Sequence, residues 1–240
     1  MTHIKPFLIF LVCVFTFTAS TSYSQQTIPT EELLGQGTPA LYGNGYKLRK
    51  EAYDAFLKLQ AEAKKEGISI AAVSSYRNFN HQKRIWNRKY NRYISQGLSP
   101  QASIAKIIEY STIPGTSRHH WGTDIDIYDT SVPQPSGILQ PKNYHGNGVY
   151  CKLKDWMDKN AERHGFYLVY TDTYHREGFK YEPWHYSYKP LSKPYLEAYR
   201  KLDISKLLKT ADLLGSAYFD ADFIQHYISE NILDINPKLL

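Results

Sequence analysis

Residues 117 to 126, S-R-H-H-W-G-T-D-I-D, gather two histidines, a glycine and two aspartates into ten positions. Farther along, E-P-W-H at 182 to 185 sets a glutamate three residues ahead of another histidine. Zinc hydrolases need three ligands drawn from His, Asp, Glu or Cys, an open position for water, and a nearby carboxylate to take that water's proton. His119, Asp126 and His185, with Glu182 as the carboxylate, make such a set. The same residue types also arise in a polar turn running into a strand, so spacing alone leaves both readings open.

Geometry constrains the metal reading. In an unbroken strand positions 119 and 126 face opposite ways, because their separation of seven is odd, so the chain must turn between them, and Gly122 sits where that turn is needed. Glu182 precedes Pro183, which disfavours helix at Glu182. The glutamate and His185 are therefore expected from an extended segment, unlike the helical H-E-x-x-H arrangement.

Taken together, the motifs resemble those of the zinc D-alanyl-D-alanine carboxypeptidases of the VanY kind, whose signatures are S-x-H-x-x-G-x-A-x-D and E-x-W-H. Upstream, S-S-Y-R-N-F-N-H-Q at 74 to 82 is similar to that family's S-x-Y-R-x-x-x-x-Q segment. W-M-D-K-N-A-E-R-H-G-F-Y-L-V-Y, residues 156 to 170, is similar to the helix, Gly-Phe and strand ahead of the second signature. The resemblance covers residues 46 to 190 in order. It implies one zinc per chain held by His119, Asp126 and His185, with Glu182 as general base and later proton donor to the leaving amine. It gives Arg77 the scissile carbonyl or the terminal carboxylate of the substrate, and puts Gln82, Ser117 and Tyr170 in the same pocket. The activity implied is hydrolysis of the terminal D-Ala-D-Ala bond of peptidoglycan stem peptides. An L,D-carboxypeptidase, an endopeptidase on the same scaffold, and a non-catalytic cell-wall-binding module are the alternatives. Asp124 stands where the family usually has Ala, and Val169 where arginine is frequent. On a strand Asp124 shares a face with Asp126, which puts it within reach of a histidine ligand.

The elements that must position these residues follow from periodicity. Leu48, Ala52, Ala55, Phe56, Leu59 and Ala63 recur at helical spacing, with Gly67 as the stop. I-S-I-A-A-V-S-S-Y reads as a buried strand ending near Ser74. Residues 80 to 96 are helical, with Ile85, Trp86, Lys89 and Tyr93 on one side, and another helix follows, capped by Ser99 with Pro100 in its first turn. T-D-I-D-I-Y-D is a strand, 130 to 148 a loop, and 150 to 165 a helix stopped at Gly165. F-Y-L-V-Y and E-P-W-H-Y-S-Y are strands. Short strands separated by helices predict an α+β domain with a small, mainly antiparallel sheet packed by helices, the zinc site on the sheet. The expected divisions are a signal peptide at 1–24, a loose leading segment at 25–45 with order from Tyr46, a zinc peptidase domain at 46–190 and a helical C-terminal appendage at 191–240.

The signal-peptide reading rests on Lys5 and the apolar run from Phe7 to Phe17, which is shorter than the roughly 20 residues that span a bilayer. Cleavage predicts an exported, periplasmic or extracellular protein with no stable membrane insertion. It removes Cys13 and leaves Cys151 without an internal disulfide partner, as a half-buried thiol. Of the +6 formal charge only Lys5 goes with it, leaving +5, a mild basic excess that suits anionic envelope material. Nucleic acid is excluded as a partner, because the basic stretch H-Q-K-R-I-W-N-R-K-Y-N-R at 81 to 92 reads as a solvated helix face. S-I-A-K at 103 to 106 matches the S-x-x-K of serine penicillin-binding enzymes, but the partner S-D-N and K-T-G motifs are missing. His120 reads as exposed or as support for its neighbour, and Trp121 and Trp184 as packing or pocket wall.

Overall fold

The structure is a computed structural model that describes residues 27–210 and 212–240. The expected signal peptide lies outside the described residues. Ordered structure begins before Tyr46, with helix α1 (Thr30–Leu33), because Leu33 and Leu34 are buried against the helical core.

Helix α2 (Lys50–Lys65) follows its apolar stripe, burying Ala52, Phe56, Leu59 and Ala63. Strand β1 (Ile70–Ser74) precedes helix α3 (Phe79–Ser95), which Asn78 caps by accepting from the His81 N–H at 2.8 Å. Helix α4 (Pro100–Ile107) starts as its sequence predicts, with the Ser99 hydroxyl accepting from Ala102 N–H at 3.2 Å. A 3-10 turn (Arg118–Trp121) leads into strand β2 (Asp124–Asp129). Helix α5 (Cys151–Asn160), strand β3 (Phe166–Leu168) and strand β4 (His185–Tyr188) follow. Helices α6 (Lys189–Tyr199), α7 (Ile204–Thr210) and α8 (Ala221–His226) complete the order, α8 running into a π-helical turn at Tyr227–Ile232.

The sheet has the order β1-β2-β4-β3, every pairing antiparallel, with β2 and β4 central. Alternation divides these two strands cleanly. Ile125, Ile127, Tyr186 and Tyr188 pack with Phe56 and Leu59 of α2 and Leu153, Trp156 and Met157 of α5. Asp124, Asp126, His185 and Ser187 therefore fall on the opposite face. A second core, built from Trp86, Ile107, Trp121, Tyr170, Phe179, Tyr195, Leu196, Tyr199 and Tyr227, lies beyond that polar face. Fully burying a Leu or Phe is worth about 1.5–3 kcal/mol, so the two cores hold the carboxylates between them by weight of apolar surface. The helices after Pro190 belong to the second core: the Tyr227 hydroxyl accepts from the Ile113 N–H at 3.0 Å and Tyr199 donates to Gly115 O at 2.8 Å.

Strands β3 and β4 are shorter than their apolar runs predict. Glu182 lies outside regular structure, and Pro183 and Trp184 form a turn in which His185 N–H reaches Glu182 O at 3.1 Å. Pro183 lacks the donor a strand would need there.

Candidate metal centre

The turn that carries His119 is held from several sides. Arg49 donates through Nε to Trp121 O at 2.8 Å, and its backbone N–H to Gly122 O at 2.8 Å. Gly122 ends the turn at φ 69°, in the left-handed region, where a Cβ would meet Leu41 and Arg49 at 3.0 and 3.2 Å. This is the reversal the odd spacing demands, since it turns His119 toward the face of Asp126. On the sheet, Asp126 pairs directly with His185 and Asp124 with Ser187, so the four side chains adjoin.

One ligand atom each from His119, Asp126 and His185 lies within 4.8 Å of the others, and all three residues are buried. His119 Nε2 is 3.3 Å from Asp126 Oδ2, and His185 Nδ1 is 3.7 Å from Asp126 Oδ1. The second nitrogen of each ring is already engaged. His119 Nδ1 meets Ser75 O at 2.8 Å, and a carbonyl can only accept, so Nδ1 carries the proton and the Nε2 lone pair is free. His185 Nε2 donates to Asp124 Oδ2 at 3.0 Å, which leaves Nδ1 facing Asp126 and Glu182, 3.0 Å from Glu182 Oε2. Fixing the outer nitrogen of a ligating histidine with a carbonyl or a carboxylate is how proteins select its tautomer.

The electrostatics separate the two rings. Burial, with Arg77 nearby, lowers His119 to about 4, so it is neutral at neutral pH. Burial also opposes protonation of His185, but Asp126, Asp124 and Glu182 outweigh it and lift the ring to about 10, so Nδ1 carries a proton at neutral pH that an ion would have to displace. Burial raises the Glu182 carboxyl above the usual range. Asp126 is lowered, the histidines outweighing its burial, and among the described residues its Oδ1 has no hydrogen-bond partner. The donor set of two imidazole nitrogens and a carboxylate oxygen is one that suits zinc.

Asp124 is fully buried and fully satisfied. It accepts from Arg118 Nε at 2.9 Å, His185 Nε2 at 3.0 Å, Thr123 Oγ1 at 2.8 Å and Ser187 Oγ at 2.6 Å, while Arg118 Nη2 donates to Ser187 Oγ at 2.7 Å. Burial would raise its carboxyl, but Arg118 and the histidines hold it far below the usual range. The carboxylate that departs from the family pattern therefore touches a histidine of the cluster, as its strand face implied.

A cleft of about 400 Å³ opens over the cluster, a volume suited to a small peptide. Arg77, Ser117, Tyr170, Glu182 and the three cluster residues line it, and Arg77 Nε and Ser117 Oγ are buried without hydrogen-bond partners among the described residues. Burial lowers the Arg77 guanidinium, and Asp126 and Glu182 oppose that shift. Gln82 sits behind the wall instead, donating to Thr112 O at 2.8 Å and so placing a stretch that does line the cleft. Leu139, Gln140 and Pro141 of the 130–148 loop, with Trp184, close one side. Tyr170 packs edge-on against His185 at 5.1 Å.

Other expectations resolve simply. His120 is buried, not exposed: its Nε2 accepts from Gly115 N–H at 3.1 Å, so Nδ1 donates to Arg77 O at 2.5 Å, and burial lowers it to about 3. It braces the segments on either side of the cleft. Ser103 is fully buried and Lys106 is paired with Glu109, which removes the serine-enzyme reading. Cys151 is half-buried, its thiol donating to Gly146 O at 3.2 Å. Sequence reading missed the Arg118–Asp124–Ser187 network and Lys89, which lines the cleft. The i, i+4 spacing of Ile85 and Lys89 was the available signal, because both face the cleft from α3.

The profile of the VanY family, described as D-alanyl-D-alanine carboxypeptidase, matches residues 45–191. A D-alanyl-D-alanine carboxypeptidase of Enterococcus faecalis (strain ATCC 700802 / V583) is 32% identical over 127 residues, 52% of this chain and 42% of that protein. The YodJ protein of Bacillus subtilis (strain 168) is 31% identical over 146 residues, 59% and 46% of the two. The chain thus spans under half the length of these two relatives. Among solved structures, VanYB in complex with D-alanine-D-alanine superposes with a TM-score of 0.52 at 24% identity, covering 74% of this chain and 92% of that one. A vancomycin-resistance D,D-pentapeptidase VanY in complex with Zn(II) gives 0.51 at 25% identity, covering 77% and 92%.

Proposed function

The chain belongs to the VanY family of D-alanyl-D-alanine carboxypeptidases, and from that premise we propose that it is a zinc-dependent D,D-carboxypeptidase acting on peptidoglycan stem peptides. The observation that carries this reading is the convergence of His119, Asp126 and His185, from a turn and two paired strands, with Glu182 beside them in an open cleft. His119 Nε2, an Asp126 oxygen and His185 Nδ1 would hold the ion. A zinc ion supplies Lewis acidity toward a carbonyl and toward water.

Glu182 is the proton carrier. Burial raises its pKa, which brings a carboxylate closer to the range where it can both accept water's proton and return it to the leaving amine. Arg77, with Nε unpaired in the cleft wall, is the donor for the terminal carboxylate or the developing oxyanion. Ser117 and Tyr170 shape the pocket, and Gln82 supports it through Thr112. A purely structural metal site has no need of a base beside an open cleft, which weighs against a silent binding module. Residues 46–190 are proposed as the peptidase domain and 191–240 as its helical packing appendage. The substrate and the apolar N-terminal run support export to the cell envelope, and no helix among the described residues is long and apolar enough to cross a membrane.

The test is to incubate zinc-loaded protein with muropeptides ending in D-Ala-D-Ala, those ending in a single D-Ala, and cross-linked stems, identifying the products by mass. Loss of one terminal alanine from the first alone is expected. Cleavage confined to the second would make it an L,D-carboxypeptidase, and cleavage of cross-links an endopeptidase.

A further inference from the structure

The cleft wall holds one cation that the proposed reaction leaves unused. Lys89 projects from α3, one turn beyond Ile85, and both side chains line the cleft. It is half-buried and, among the described residues, makes no hydrogen bond or ion pair. Lysines that are partly covered ordinarily carry the ammonium out to water or to a counter-ion, as Lys83 on the same helix does with Asp212 at 3.1 Å. Burial lowers the Lys89 pKa to about 8; Glu182 attracts its proton, while Arg77, Arg92 and Arg88 repel it. Its ammonium therefore stands in the cleft wall with no anion of the described residues paired to it.

The charges of the cleft indicate what that is. Its carboxylates are Asp126 and Glu182, one assigned to the ion and the other to the proton. Arg118 is committed to Asp124. Arg77 and Lys89 remain, and with Arg77 on the terminal carboxylate Lys89 is left for a second anion. Two terminal alanines carry no side-chain charge and span about 7 Å when extended. The first substrate group able to bear charge is therefore the side chain just ahead of them.

We propose that Lys89 forms an anion-binding subsite for a carboxylate on the side chain immediately preceding the two terminal alanines. The protein then selects peptides acidic at that position over those carrying an amide or an ammonium. The proposal rests on the peptidase reading above, and its test separates the two. The probes are acetyl-X-D-Ala-D-Ala with X glutamate, glutamine or lysine, assayed with zinc-loaded protein and bound calorimetrically to zinc-loaded Glu182→Gln. A charge-assisted contact is worth about 10- to 100-fold, so kcat/KM for the glutamate peptide should exceed that for glutamine by about that factor, mostly through KM, with lysine poorest. Lys89→Met should bring the glutamate-to-glutamine ratio toward one, and Lys89→Arg should retain it. A ratio near one in the unaltered protein, or one unchanged in Lys89→Met, overturns the subsite. Should no peptide be cleaved, the peptidase reading falls, and the calorimetric preference for glutamate over glutamine alone upholds or overturns the subsite.

Discussion

Glu182 and Asp124 are both buried carboxylates within 3.0 Å of a nitrogen of His185, yet their surroundings give them opposite chemistry. Asp124 is saturated by four donors and stays ionised, whereas Glu182 is raised by burial and faces the cleft. Glu182→Gln should therefore leave zinc content and circular dichroism intact while turnover falls by at least about 10²- to 10⁴-fold. Loss of zinc together with activity would make Glu182 a ligand instead. Asp124→Ala is expected to act differently, because it leaves Arg118 buried without its counter-ion and His185 without its clamp. Denaturant titration should register about 3–5 kcal/mol of lost stability, and chelator competition a roughly 10- to 100-fold weaker zinc affinity. Lys89 adds a pH signature. Its ammonium is present below about 8 and lost as pH rises through that value, with Glu182, Arg77, Arg88 and Arg92 as its charged surroundings. The glutamate-to-glutamine ratio should be highest near neutrality and fall above pH 8, and taking a ratio cancels the titration of the shared site.

Among the elements, the 3-10 turn at Arg118–Trp121 and the β2–β4 pairing matter most. The pairing sets Asp126 opposite His185 by register alone, but His119 reaches them only through the reversal at Gly122. Gly122→Ala forces a Cβ into the left-handed region, at about 1–2 kcal/mol for the backbone, and against Leu41 and Arg49. The expected result is a lower denaturation midpoint and weaker zinc binding, with the sheet's circular dichroism retained. Unchanged zinc affinity in a destabilised Gly122→Ala would mean that the turn does not set the ligand's position.

At the scale of the molecule, the three proposed ligands come from segments as far apart as positions 119 and 185, so an ion can bind them as a set only when the sheet and turn are assembled. Zinc should then stabilise the fold by about 2.7 kcal/mol at a free concentration 100 times its Kd, a rise of roughly 5–10 °C in Tm for a chain of this size. Calorimetric scans with zinc and with chelator check this, and His119→Ala should abolish the difference. The helices after Pro190 contribute to the same core as Trp121, so their packing supports the turn that carries His119.

The sequence by itself determined the elements and the cluster. Helical and strand periods placed α2, α3, α4, β1 and β2 close to where they form, because those periods express which face is buried. The motif residues stood out as a set through their resemblance to the VanY signatures, since spacing alone left a polar turn equally open, and the Gly122 turn was legible because odd spacing on a strand requires one. Tertiary structure decided what depends on contacts between distant segments. That Asp124 binds Arg118, Ser187 and His185, that His120 is a buried brace, that Gln82 stands behind the wall and that Lys89 faces the cleft all follow from which layers meet. Periodicity assigns a residue to a face of its own element, but whether that face meets a core, a ligand or water is fixed only when the two hydrophobic cores close around it.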